Sequence, residues 1–442
     1  MSPRERVTIA LYGALWLIVT PFVALYLLWR SRRQPAYRRH WSQRFLGRYA
    51  ERHDAPCIWI HAVSVGETRA AVPLVRALCT RHPATPVLVT HMTPTGLETA
   101  REVFGDSVSH GLLAYDLPFA VARFLRHWRP LVGIVMETEI WPGLMRAAQG
   151  GGVPMVIANA RMSERSMRSA LRWPALMGPA VRAFVRVLAQ TRDDARRLAR
   201  IATVPESPPT FVVTGSMKFD VDVPDGQRAL GRRFRERTAG RSIVLCASTR
   251  DGEEAAIVDA WKRAGATVAS PKPLLVLVPR HPQRFDEVAA LATRAGLETR
   301  RRSDDAALDA GVDVWVGDSM GELFAYYLAA DVAYVGGSLV PLGGQNLIEP
   351  AAVGCPILIG PHTFNFNEAT EDALGAGAAL RVPTFDAMIG LALELIADPA
   401  RRERMARAGI AFADAHRGAT ARTVAEIEAL LSSAASGETP TT

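Results

Sequence analysis

Two doubly wound α/β domains in tandem, preceded by one long apolar helix, form the architecture this sequence predicts. Three observations predict it. Short apolar runs alternate with helical patterns twice over, from residue 56 to about 215 and again from 243 to 359. The runs are continuously apolar rather than alternating, which marks parallel strands covered by helices on both faces. Val7 to Trp29 carries no charged residue at all. The chain has 442 residues, 49% of them hydrophobic, which is enough for two cores.

The N-terminal run comes first. At ~1.5 Å per residue it makes a helix about 35 Å long, sufficient to cross bilayer hydrocarbon. Tyr26 and Trp29 sit where an interfacial aromatic belt belongs, and the Thr20 hydroxyl can satisfy a carbonyl freed by Pro21. "LLWRSRR" has no small-residue site for signal cleavage. Three readings stay open for residues 1–30: a transmembrane anchor, a monotopic anchor dipping into one leaflet, and a buried core helix.

Residues 31–55 form a basic juxtamembrane segment. Between Arg30 and Arg52, arginines 30, 32, 33, 38, 39, 44, 48 and 52 stand against one acid, Glu51, in a chain whose net charge is +8. Directly behind an apolar helix, such a cluster suits anionic lipids rather than nucleic acid, and it keeps the following domains cytoplasmic. The four cysteines, Cys57, Cys79, Cys246 and Cys355, lack the paired spacing of disulfides or metal sites and read as core thiols in a reducing compartment.

The first domain, 56–217, has predicted strands at Cys57–Val63, Pro86–Thr90, Gly111–Tyr115, Val132–Met136, Met155–Ala158, Val185–Ala189 and Phe211–Thr214, with helices such as Ala70–Arg81 and Phe119–Trp128 between them. A proline- and charge-bearing stretch, 218–241, reads as an interdomain linker. The second domain, 242–432, restarts at Ile243–Ala247 and continues through Leu274–Val278, Val312–Val316, Val332–Val335 and Pro356–Ile359. Residues 433–442, SAASGETPTT, read as a disordered tail.

Ligands of doubly wound sheets sit at the carboxyl ends of the strands, so the loops after strands carry the chemistry. In the first half these are "HAVSVGE" (61–67), "THMTPTG" (90–96), "METEIWPG" (136–143) and "ANARMSERS" (158–166). Glu67, Glu137 and Glu139 are carboxylates at the ends of apolar strands, where burial can raise a pKa toward that of a base working near neutrality. Glu67 equally suits a helix dipole. Arg161 and Arg165 can hold an anionic substrate group or simply begin a surface helix.

In the second half the loops are "ASTRDGEE" (247–254), "VPRHPQRF" (278–285), "VGDSMGEL" (316–323) and "VGGSLVPLGGQNLIEPAAVG" (335–354). Arg280 and His281 end a strand, where a cation can meet a phosphate. Met320, Gly321 and Glu322 open a helix whose free N–H groups suit an anion. Gly336, Gly337, Gly343 and Gly344 allow close backbone approach. Asn346 and Glu349, three apart, share a helix face suited to ribose hydroxyls. Plain turns, surface charges and helix caps explain each loop singly. Four of them in strand order describe a nucleotide pocket. There is no G-x-G-x-x-G after the first strand, no Walker loop and no metal-binding spacing.

These loops resemble those of the 3-deoxy-D-manno-octulosonic acid (Kdo) transferases. The similarity runs through "HAVSVGE", "VMETEIWP", "ANARMSERS", "TGSMKFD", "LVPRHPQRF", "GDSMGEL" and "GGSLVPLGGQNLIEPAAVGCPILIGPHTFNF", and departs at Arg250-Asp251, where the family usually has His-Glu. The resemblance implies a GT-B fold, two Rossmann-like domains facing a central cleft. It further implies CMP-Kdo as donor, lipid IVA as acceptor, no metal or other cofactor, and a single-anchored enzyme at the cytoplasmic face of the cell inner membrane, in contact with its anionic lipids. It makes Glu67 the proton acceptor. It places Pro279, Arg280, Met320, Gly321, Glu322, Asn346, Leu347, Ile348 and Glu349 at the CMP, and brings Ser64, Gly66, Glu137, Glu139, Arg161, Lys218 and His281 in as further substrate contacts. A GT-B transferase using a UDP-sugar and a non-catalytic glycolipid-binding protein are the competing readings. If the anchor is a separable tether, a chain lacking 1–29 stays active on detergent-dispersed acceptor.

Overall fold

The computed structural model describes residues 2–50, 55–202, 209–220, 222–265, 272–304 and 307–436. It divides into two compact units, Met1–Asp220 with Arg417–Thr442, and Val221–His416.

The first unit opens with α1 (Pro3–Arg30) and α2 (Trp41–Leu46). An alternating series follows: β1 (Cys57–His61), α3 (Val65–Arg81), β2 (Val87–His91), α4 (Pro94–Phe104), β3 (Ser109–Leu112), α5 (Pro118–Trp128), β4 (Pro130–Met136) and α6 (Pro142–Gly150). The series ends with β5 (Met155–Ala160), α7 (Glu164–Ala170), α8 (Pro174–Arg182), β6 (Phe184–Ala189), a helix at Arg192–Ala202 and β7 (Thr210–Val213). Its seven parallel strands stand in the order β3-β2-β1-β4-β5-β6-β7, so the winding reverses between β1 and β4. Every residue of β1 and β2 is buried, as continuous apolar runs require of central parallel strands. Proline occupies the first position of α4, α5, α6 and α8, where its missing N–H has no helical partner to lose.

The second unit carries β8 (Ile243–Thr249), β9 (Leu274–Pro279), β10 (Thr299–Arg301), β11 (Val314–Val316), β12 (Val332–Val335), β13 (Ile357–Ile359) and β14 (Ala379–Arg381). Their order, β10-β11-β9-β8-β12-β13-β14, places its reversal between β8 and β12. β10 and β14 escape the sequence pattern. They are three-residue edge strands, each ending in arginine and paired on one side only, so no apolar run marks them.

The predicted boundaries need three corrections. The stretch read as a linker is largely a helix, Asp225–Arg237, within the second unit. At its end the buried Arg241 side chain donates to the carbonyls of Lys272, Pro273, Asp309 and Val312. The second domain ends near His416, because the helix Ala419–Ser436 returns to the first unit. There Val424, Ile427 and Leu430 share a core cluster with Leu74, Leu78 and Ile134. Asp220 ties the return point, accepting from the backbone N–H groups of Gly418 (2.6 Å) and Thr420 (2.5 Å). That helix also extends through residues 433–436 of the predicted tail, and residues 437–442 lie outside the described ones.

An Ile427→Ala substitution tests this assignment. Truncating a buried isoleucine typically costs ~2–5 kcal/mol. Amide exchange should accelerate in β1 and β4 of the first unit and stay unchanged in β8 and β12 of the second. Acceleration confined to β8 and β12 would return the helix to the second domain.

Candidate active site

Glu67 is the third residue of α3, whose N-cap is Ser64. Its carboxylate accepts from the backbone N–H of Val63 (2.8 Å) and from the Ser64 hydroxyl (3.1 Å). This is a variant of the capping box, in which the third helical residue reaches back to satisfy a free N–H. The same geometry draws the carboxylate inward. Burial, reinforced by the negative charges of Glu139 and Glu137, pushes the Glu67 pKa up to about 7, against the opposing bonds from Val63 and Ser64.

All three carboxylates belong to the β1 and β4 ends, which are neighbours at the reversal of the sheet. Glu137 adopts a left-handed backbone (φ 57°), a conformation costly for a residue with a side chain and concentrated at functional sites. Its carboxylate lies 3.7 Å from Lys218 Nζ. Glu139 accepts from Trp141 Nε1 (2.7 Å), and burial, with Glu137 nearby, raises its pKa too. Gly66 is exposed, and a Cβ there would meet only the Ser64 hydroxyl, at 3.8 Å, so nothing in the fold demands glycine at that position. Arg161 is exposed beside these loops, its backbone N–H donating to the Glu137 carbonyl (3.3 Å).

Two supporting residues gave no sequence signal. Asn159, fully buried and also left-handed (φ 53°), accepts from the backbone N–H of Met217 (3.1 Å). That bond fixes the turn carrying Lys218 toward Glu137. Asp116, buried after β3, accepts from the N–H groups of Gly143 (2.8 Å) and Leu144 (2.6 Å) and so caps α6, the helix that follows the Glu137–Glu139 loop.

The second unit gathers cations at the ends of β8 and β9. Desolvation and the charges of Arg250, Arg280 and Arg284 together lower the His281 pKa. Arg250, the position that departs from the family pattern, is thus part of this positive potential. Glu254 accepts from Arg284 Nη1 on both carboxylate oxygens and from the Thr249 hydroxyl, each at 2.8 Å. Glu253 is fully buried and accepts from Tyr334 Oη (2.6 Å), Gly337 N (2.8 Å) and Arg250 N (2.8 Å). It joins the loop after β8 to the loop after β12, across the reversal. Gly336 is required by the close approach there, since a Cβ would lie 2.5 Å from the Ser248 carbonyl oxygen.

The remaining predicted nucleotide contacts divide. Pro279 ends β9, and Met320 and Gly321 (φ 80°) are exposed on the loop after β11. Glu322 is engaged within the protein, with Arg302 at 3.1 Å and the Ser319 hydroxyl at 2.6 Å. The short helix it precedes has its Ala325 N–H taken by Gln227 (3.2 Å), so its N-terminus is less open than the sequence suggested. Asn346 Nδ2 donates to Glu349 (3.0 Å), so the two side chains meet, but Asn346 lies in the loop before the helix Ile348–Ala352 rather than on a helix face shared with Glu349. Leu347 and Ile348 are buried, so any ligand can use only their backbone.

Two doubly wound domains, a carboxylate tuned near neutrality at the strand ends of one and a cationic strand end in the other, define a GT-B type glycosyltransferase. A family model described as 3-Deoxy-D-manno-octulosonic-acid transferase (kdotransferase) matches residues 39–221. A 3-deoxy-D-manno-octulosonic acid transferase of Bordetella pertussis is 44% identical, covering 96% of this chain and 99% of that protein. Its counterpart from Haemophilus influenzae is 37% identical over 93% and 96%. A glycosyltransferase structure from Rickettsia africae shares the fold at 12% identity and a TM-score of 0.55, covering 86% of this chain and 99% of its own. The chain belongs to the Kdo transferase family.

Replacing Glu139 by Gln should move the Glu67 titration from about 7 toward the ordinary glutamate value, because one repelling charge is gone. The stability contribution runs the same way. A raised carboxyl pKa favours folding fully below the ordinary value of 4.5, and that advantage is lost as pH rises through about 7. Carboxyl carbon NMR of the two proteins between pH 4 and 9 checks both statements, and an unmoved Glu67 titration would dissociate the two groups.

Proposed function

We propose that this protein transfers Kdo from CMP-Kdo to lipid IVA with inversion, Glu67 acting as general base. The observation that carries the proposal is the Glu67 carboxylate, held at the end of β1 with its pKa near 7. A sugar hydroxyl is a poor nucleophile, and a base tuned close to ambient pH is best matched to removing its proton as attack develops. The transition state is oxocarbenium-like, as in glycosyl transfer generally. CMP departs as an anion, which the positive potential of Arg250, Arg280 and Arg284 around His281 favours.

Pro279, Arg280, Met320, Gly321 and the Asn346–Glu349 segment bind the donor in this reading, the last through Asn346, Glu349 and backbone. Ser64, Gly66, Glu137, Glu139, Arg161 and Lys218 serve the acceptor. No metal enters the proposed reaction. The enzyme works at the cytoplasmic face of the inner membrane, attached through α1, whose mean hydropathy and length suit a bilayer.

Incubation with CMP-Kdo and lipid IVA, with product masses read directly, tests the substrates. A product carrying added Kdo supports the assignment; unchanged lipid IVA refutes it. Glu67→Gln should lower turnover by about 10²–10⁴-fold, with CMP affinity within a few-fold of wild type. Wild-type turnover should rise with pH and level off above about 7, where the base is ionised. A variant keeping more than a tenth of the turnover removes Glu67 from the mechanism.

Two more substitutions separate binding from folding. Gly66→Ala should leave the protein as stable or up to ~1 kcal/mol more so, since alanine is the better helix former, yet cost activity if substrate approaches that backbone. Arg280→Ala should weaken CMP binding by roughly 1.5–3 kcal/mol, the scale of a charge-assisted bond. Calorimetry showing unchanged CMP affinity would clear Arg280 of a phosphate role.

A further inference from the structure

α1 is apolar all round, but its two faces have different partners. One stripe rests on the first domain from Glu5 to Trp16 and, at the far end, on the segment that follows the helix. Glu5 pairs with Arg182 of α8 (2.5 Å). Tyr12 donates to the buried Asp116 (2.9 Å). Gly13 lies against Pro118 of α5, where a Cβ would sit 3.2 Å from the ring. Trp16 stacks on Tyr115 at 5.9 Å between ring centres and packs on Trp141 at 6.3 Å. Leu27 and Ser31 are buried at the far end, near Tyr37, whose ring Arg30 covers. The opposite stripe, Leu11, Leu15, Ile18, Phe22, Leu25 and Trp29, repeats every three or four residues, and each member is more than half exposed.

We propose that α1 lies in the plane of the membrane, its inner stripe on the catalytic domain and its outer stripe in the lipid of one leaflet. This rests on the membrane attachment proposed above and specifies its geometry. A spanning α1 would carry Glu5 to the far side, roughly 37 Å from Arg30, and would break the pair with Arg182. It would likewise part Tyr12 from Asp116 and leave the Tyr12 hydroxyl at hydrocarbon depth, where an unsatisfied polar group is costly. An in-plane helix with an apolar stripe buries it about 5–10 Å into the headgroup–acyl boundary, and basic flanks meet anionic headgroups. Arg30, Arg32, Arg33 and Arg39 are exposed to do so. Among the described arginines of the cluster, one is withdrawn into the interior. Arg44 is buried, donating to the Met92 carbonyl (2.8 Å), and Arg52 lies outside the described residues.

The same contacts revise the expectation that the anchor is a separable tether. Removing 1–29 strips Tyr12 from Asp116, which caps α6, and Trp16 from Trp141, which holds Glu139.

The test uses the full chain with Cys79→Ser, since Cys57, Cys246 and Cys355 are buried. A fluorophore is placed singly through Leu11→Cys, Ile18→Cys or Leu25→Cys, in phosphatidylethanolamine–phosphatidylglycerol vesicles, with lipid quenchers at known depths. Equal, shallow depths at all three positions are expected. A profile deepest at Ile18 and shallower at both ends would mean a spanning helix, and overturns the proposal while leaving membrane attachment intact. A separate Arg4→Cys variant should resist an impermeant maleimide applied to intact cells and react once the cytoplasm is opened; labelling in intact cells also overturns the proposal. Protein that never co-sediments with the vesicles overturns both this geometry and the membrane reading.

Discussion

A buried carboxylate must be given hydrogen bonds by whatever encloses it, and the ligand end of the second domain is arranged around one such group. Glu253 accepts from a tyrosine hydroxyl and from two backbone N–H groups that belong to different loops. Losing any one donor leaves a desolvated acceptor short, at a cost of about 1–3 kcal/mol, so the two loops hold each other's conformation. The Gly336 approach to Ser248 follows from that closeness. Ser248 itself has a left-handed backbone (φ 55°). Glu67 is treated differently in the first domain. It receives fewer donors and two like charges, so its energy is poised between protonation states. Burial raises the pKa of both carboxylates, but Glu253 spends its bonds on tying two loops together, whereas Glu67 bonds only within its own turn.

Most of this plan could be read from the sequence because parallel sheets write themselves plainly. Continuous apolar runs mark every central strand, and the handover from Ile60 and His61 to Ser64 and Glu67 puts the acidic residue at a strand end from sequence alone. The prolines that open α4, α5, α6 and α8 are local signals too. What was not legible depends on partners distant in sequence. Glu253 and Glu254 look alike as neighbouring acids in a helix's first turn, yet one meets Tyr334 and the other Arg284. Asn159 reads as one polar residue in a loop until Met217 is seen bonded to it. The edge strands β10 and β14 are too short and too polar to announce themselves.

The domain boundary failed for a related reason. Ala419–Ser436 is an ordinary amphipathic helix, and its pattern says only that one face is covered. Nothing in it names the sheet that does the covering. Asp220 and the Gly418 turn supply that information, through contacts about two hundred residues apart in the chain. The apolar α1 is ambiguous in the same way. Its composition is satisfied by lipid on every side or by protein on one, and only Tyr12, Trp16 and their partners distinguish the two.

The return of the C-terminal helix has a consequence for biosynthesis. The core face of the first domain that includes Leu74, Leu78 and Ile134 lacks Val424, Ile427 and Leu430 until the last stretch of chain leaves the ribosome. Residues 221–416 must be translated in between, which takes about 10–40 s at ~5–20 residues per second. Throughout that interval the nascent protein carries both an uncovered apolar face and an apolar α1. The first domain is therefore the earlier of the two to begin folding and the later to finish, and a chaperone that shelters α1 during targeting would have a second apolar surface to protect on the same nascent chain.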